Sequence, residues 1–329
     1  MTLLRSFGLA SFLLAAACTV GDAGGPGGGS NNDGPDAGAP VAGEISGTIA
    51  ADQTWSGTVT LTANATIPAG VTVTVEPGTI FHAAANAQLH VIGTLTVNGT
   101  KASPVSMEPS VASARWAGIV ADAGAKVDLT YASGHGVATL VYCHEGATCG
   151  LDHVDFSDLG VAITNEGTTN LIASHIAKVS NGGVTARAGT LTIRDSYVLT
   201  STGDIIVQSG GALVIEYSEI GDAQGSYEHC DLHIGAAGSL SITHSNIRNG
   251  VYGMMIGGTT NALIQYNNFI ANGPAPAGAD IDEVGTNTAA DFQFNYWDHG
   301  APTALGASYN FGSPAAAMIT DAGPRAANL

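Results

Sequence analysis

Between residues 151 and 269, acidic, imidazole and phenol side chains recur at three neighbouring places of one short motif. The first place holds Asp152, Ile172, Arg194, Glu216, Thr243 and Gln265. The second holds His153, Ala173, Asp195, Tyr217, His244 and Tyr266, and the third Asp155, His175, Tyr197, Glu219, Asn246 and Asn268. If the motif copies stack, these residues form one strip. Asp195, Glu216, Glu219 and His244 are then the groups able to exchange protons with a substrate, because adjacent carboxylates are what acid–base cleavage of a glycosidic bond requires. Asp152, Arg194, Tyr217 and Tyr266 are the types that grip sugar hydroxyls and ring faces. The plainer reading of the strip is a solvated face crossed by an Arg194–Glu216 ion pair.

The chain has four cysteines. Cys143 shares an apolar column with Ile163, Val207, Ile234 and Ile256, and Cys149 one with Leu191, Leu213 and Leu240, so both read as inward-facing. They form either a disulfide across the intervening turn or two buried thiols, and Cys230 is left over. Neither Cys143-His144 with Cys149 nor His229-Cys230-x-x-His233 fits a zinc template, so no metal centre is expected. The glycine run at residues 24–29 lacks the preceding strand and following helix of a phosphate loop and reads as linker.

The elements that carry the strip follow from a repeat. The segments 171–176, 192–198, 214–220, 241–247 and 263–269 align on Ser174, Ser196, Ser218, Ser245 and Asn267, at intervals of 22 to 27 residues, with Val154 in the same place one copy earlier. Three residues before stand Leu151, Leu171, Ile193, Ile215, Ile242 and Ile264. Two after stand Phe156, Ile176, Val198, Ile220, Ile247 and Phe269. Strict alternation cannot place all three columns on one side of a strand, so a turn must lie between the first apolar column and the Ser or Asn. This predicts an all-β fold, a right-handed parallel β-helix over residues 44–315 with eleven or twelve coils, about 55 Å long at the usual strand spacing. Its Ser and Asn column is expected to be an internal hydrogen-bonded ladder.

Composition agrees. The chain is rich in Gly, Ala, Val, Thr and Ile, and only 11% of it is charged, which removes the usual material of solvent-exposed helices. A formal net charge of −18 sets the protein against nucleic acid and anionic membrane surfaces. Residues 1–17 have one Arg, a short apolar run and small residues at the end, as an export signal has. Leu14-Ala-Ala-Ala-Cys18 is lipobox-like, which makes Cys18 the expected lipidation site, although Ala15 stands where that signal usually has Leu. Residues 18–43 read as a flexible tether, and 316–329 as a tail. The anchor would be the protein's contact with a bacterial outer membrane, and a monomer is expected.

Further motifs carry a family resemblance: Trp55-x-Gly57, residues 69–80 (AGVTVTVEPGTI), Leu89-x-Val-x-Gly-Thr-Leu-x-Val-x-Gly-Thr100, Trp116-Ala-Gly-Ile119 and Phe294-Asn-Tyr-Trp297. Over roughly residues 43–315 the chain resembles secreted bacterial β-helix proteins of pectin-lyase-like fold, with Asp298 where the closing motif usually has Gly. The resemblance implies a fold and no single activity. Gly134-His135-Gly136 is similar to a polygalacturonase segment, without that family's acidic and basic partners. Leu151-Asp152-His153 is similar to a pectate lyase segment that helps hold Ca²⁺, without the required arginine motif, so Ca²⁺ is the one cofactor admitted. The expectation is a non-catalytic envelope rod for adhesion or matrix contact with cell-surface proteins. The alternative is an extracellular polysaccharide-binding or polysaccharide-degrading protein, a lyase or glycoside hydrolase.

Overall fold

The computed structural model describes residues 40–325 apart from 181, 224–229, 236–237, 258–261, 274–278, 284–289, 301, 303 and 306–310. The export-type segment, Cys18, most of the tether and His229 lie outside the described residues. The described chain is all-β, a parallel solenoid of about ten turns without a helix. The count falls slightly below that expected from the repeat because the last strands, Ala290–Asp291, Tyr296–Trp297 and Ala304–Leu305, are two residues each. The first strand, Val41–Thr48, starts inside what reads as tether.

Each turn contributes a strand to three parallel stacks. In the first stack Leu129, Leu151, Leu171, Ile193, Ile215 and Ile242 stand in successive register. Phe156, Ile176, Val198, Ile220, Ile247, Phe269 and Trp297 do so in the second. Val141, Ile163, Val184, Ile206, Leu232, Met254 and Ile281 do so in the third. All are buried, and each full burial contributes about 1.5–3 kcal/mol. Cys143 therefore shares its rung with Asn165 and Gln208 rather than with Ile163 and Val207. The turn after the third stack differs in length by one or two residues between these coils, which linear alignment does not reveal.

The corner between the first and second stacks shows why the repeat needs its polar residue. At each turn one residue adopts a left-handed conformation: His153, Ala173, Asp195, Tyr217, His244, Tyr266 and Phe294 have φ between 48 and 63°. The bend aims the following residue inward, which strands its backbone N–H in the core. The next turn supplies the acceptor. Val154 N–H donates to Ser174 Oγ at 3.0 Å, Ser174 to Ser196 Oγ at 3.1 Å, Ser196 to Ser218 Oγ at 3.2 Å and Ser218 to Ser245 Oγ at 3.1 Å. Ser245 N–H donates to Asn267 Oδ1 and Asn267 N–H to Asn295 Oδ1, both at 2.9 Å. Each serine hydroxyl donates in turn to the carbonyl two residues before it, as Ser174 does to Ile172 at 2.6 Å. The ladder is satisfied along its length.

Earlier turns solve the corner differently. Glu76-Pro77-Gly78-Thr79 forms the expected tight turn, with Gly78 at φ 76° and Thr79 N–H donating to the Glu76 carbonyl at 3.3 Å. Inside these turns Phe81 packs between Trp55 and Trp116, with centroids 6.1 and 5.8 Å away. At the other end Trp297 is buried, stacked on Phe269 at 4.3 Å, and Phe311 lies edge-on against it at 5.7 Å. Trp297 thus belongs to the core, and Phe311 packs against it.

Beyond the solenoid the chain turns back. Ser313 accepts from Phe294 N–H and Asn295 accepts from Ala315 N–H through their carbonyls. Ile319 exchanges hydrogen bonds with the Asn268 amide at 2.8 and 3.0 Å, Gly323 N–H donates to the His244 carbonyl, and Arg325 reaches Asp195. Residues 311–325 therefore run along the strip against the direction of coiling, from the turn of Phe294 to that of Asp195.

Candidate functional site

The second-place column carries aromatic side chains on its left-handed residues, and these stack as a ladder outside the corner. Tyr217, His244, Tyr266 and Phe294 follow one another at 5.0, 5.3 and 5.2 Å between centroids, tilted by 15–22°. Tyr131 and His153 form a second stack at 4.4 Å. Two rungs lie between the stacks, Ala173 and Asp195.

Asp195 is closed off. Its side chain is only 2% exposed, and Arg325 grips both oxygens at 2.7 and 2.6 Å while its guanidinium lies 4.0 Å above the Tyr217 ring. The carboxylate and the ring raise the pKa of the Arg325 guanidinium further. Asp195 and Glu216 stand on adjacent turns, with Asp195 N–H donating to the Glu216 carbonyl at 3.2 Å, and each carboxylate meets an arginine. Glu216 accepts from Arg194 Nε at 2.9 Å and Nη2 at 2.6 Å, the ion pair of the plainer reading. Glu219 is held by Arg248 at 2.7 Å, and Arg248 bridges on to Asp222 at 2.9 Å. His244 is sandwiched between Tyr217 and Tyr266. Asp152 binds His153 Nδ1 at 2.7 Å.

Ala173 is the opposite case. Its methyl adds no ring to the ladder, so the face of His153 on that side meets no aromatic partner among the described residues. A groove of about 720 Å³ opens here. Its floor is Val154, Ala173 and Ser174, Tyr131 and His153 form one wall, and Asp155, His175, Tyr197 and Leu199 of the second stack form the other. Lys101 and the Glu219–Arg248 pair close its ends. Within it His175 Nδ1 contacts Asp155 Oδ1 at 2.9 Å, and His175 meets the Tyr197 ring edge-on at 6.1 Å.

Of the residues assigned proton-exchanging or gripping roles from the sequence, only Glu219 lines this groove, together with His153, Asp155, His175 and Tyr197 of the strip; Asp152, Arg194, Tyr217 and Tyr266 stand on the strip outside its lining. The lining residues missed were Lys101, Tyr131, Leu199 and Arg248. A signal for the groove was present all the same, one alanine in a column of large side chains. His135 is half-buried on a strand while Gly136 takes φ 65°, a turn role.

Cys143 and Cys149 are buried free thiols in contact with each other, which corrects the disulfide in favour of the other alternative. The contact lowers the pKa of Cys143 and, together with burial, raises that of Cys149. Comparison of the chain with protein-family models, curated proteins and solved structures finds no match.

Proposed function

We propose that this protein is a non-catalytic rod of the bacterial cell envelope that holds an extracellular saccharide in the groove over Ala173. The observation that carries the reading is the interrupted aromatic ladder. An uncovered imidazole face beside a shallow apolar floor, with polar groups at the rim, suits a flat sugar ring packing on one side and hydrogen-bonding at its edge. Non-catalytic is supported by the carboxylates of the strip, each engaged by an arginine or a histidine. The envelope location is supported by the export-type N-terminus and the tether, with Cys18 as the proposed lipid anchor. The resemblance to secreted β-helix proteins supports a role in adhesion or matrix contact, and the acidic charge disfavours nucleic acid as a partner.

The test is a glycan-array screen of the purified protein, with and without Ca²⁺, followed by mass spectrometry of the bound polysaccharides. Binding without cleavage is expected, reduced at least tenfold in Ala173→Tyr. That side chain is tolerated at the same rung with φ 48° in Tyr217, so it completes the ladder without straining the corner. Absence of binding, or binding that Ala173→Tyr leaves intact, overturns the reading. One observation favours a second one: the Asp155–His175 pair lies within the groove, so cleavage abolished by Asp155→Asn would make the protein a polysaccharide-degrading enzyme instead.

A further inference from the structure

On a different face, the third stack assembles three donor atoms of a kind that bind transition metals. Asp204 lies in the turn before the strand Ile206–Gln208, and Cys230 and His233 lie on the next strand of that stack, Cys230–Ile234. Register pairs Ile206 with Leu232 and Val207 with His233, so Asp204 falls beside the start of the second strand. There Cys230 donates to Asp204 Oδ1 twice, from its backbone N–H at 3.0 Å and from Sγ at 3.3 Å. His233 Nδ1 stands 3.3 Å from Asp204 Oδ2, in a contact that does not have hydrogen-bond geometry and leaves this buried nitrogen without another partner.

We infer that Asp204, Cys230 and His233 form a binding site for a zinc-class divalent cation. All three donor atoms lie within 4.8 Å of one another. Ligands at zinc distances of about 2.0–2.3 Å in a tetrahedron stand about 3.3–3.7 Å apart. Cys230 Sγ already lies 3.3 Å from Asp204 Oδ1, and His233 Nδ1 lies 3.3 Å from the other carboxylate oxygen, Oδ2. A carboxylate, a thiol and an imidazole together select a borderline-soft ion such as Zn²⁺ or Co²⁺ and reject Ca²⁺ and Mg²⁺, which require oxygen ligands. The protein fills three positions. Cys230 is fully buried and so is the His233 Nδ1 atom, while the rest of the His233 side chain is 38% exposed, and a water would take the fourth position. The bound ion ties two successive turns of the rod together, independently of the groove.

The experiment uses the chain with Cys18→Ser, Cys143→Ala and Cys149→Ala, in which Cys230 is the remaining thiol of the four cysteines. Co²⁺ is added to the chelator-treated protein and followed by absorption. A thiolate-to-cobalt charge-transfer band is expected, saturating at equimolar metal, displaced by Zn²⁺ and unaffected by excess Ca²⁺. Asp204→Asn and His233→Ala should each weaken binding at least tenfold, and Cys230→Ser should abolish the band. A folded parent protein that shows no band, or a band that survives both Asp204→Asn and His233→Ala unchanged, refutes the site. Because Cys230 is buried and its serine variant is open to misfolding, the two polar variants decide the matter by themselves.

Discussion

The early turns of the solenoid and the later ones build the same corner in different ways. Up to about residue 121 the large aromatics are inside, where Trp55, Phe81 and Trp116 fill the core and a glycine such as Gly78 takes the left-handed corner. From residue 151 onward the corner holds L-residues at positive φ, the inside of the bend is a column of hydroxyls and amides, and the rings of the corner residues stand outside as a stacked ladder, while Phe156, Phe269 and Trp297 remain in the core. A left-handed L-residue costs of the order of 1–2 kcal/mol. The later turns offset this with ladder hydrogen bonds at about 0.5–1.5 kcal/mol each and ring stacking of similar size. What they gain is a row of rings outside the wall, which the glycine corners cannot present. The groove lies where that row is broken.

Substitutions at four positions separate the two designs, and equilibrium denaturation reads them all. Trp116→Ala should be the most damaging, at about 3–5 kcal/mol, because nothing around a fully buried indole can collapse into the space. Asn295→Ala should cost about 3 kcal/mol with little loss of volume, because it removes the acceptor of Asn267 N–H, one of the two acceptors of Asn267 Nδ2, and the donor to the carbonyls of Ile264 and Phe292. If it costs less than about 1 kcal/mol, the ladder is not what holds the later corners. Arg325→Ala should cost about 2 kcal/mol, between the values for exposed and buried ion pairs, and expose residues 311–325 to proteolysis. Tyr266→Ala should cost about 1 kcal/mol through lost stacking, and Tyr266→Gly less, because glycine relieves the backbone at φ 58°. Equal losses for the two would mean that the corner is not strained.

Much of this was legible in the residues. The inward columns, the polar ladder and the turn before it follow from spacing alone, because each stacked side chain meets its own equivalent one coil away. The Arg194–Glu216 pair was legible for the same reason. The groove was not, since a column of varied polar residues does not say which rungs the chain later covers. Cys230 and His233 were visible as a pair, yet they matched no template because their third partner stands 26 residues earlier.

By itself the sequence determined the all-β solenoid, its coil period and which residues face inward, since nearest-neighbour stacking repeats the same local choice at every turn. Only the tertiary structure decided what lies on the outside. Arg325 finds Asp195 across 130 residues, and Asp204 meets Cys230 and His233 through a register offset in the third stack. Such contacts depend on where the chain returns and how long each turn is. No periodic signal records either.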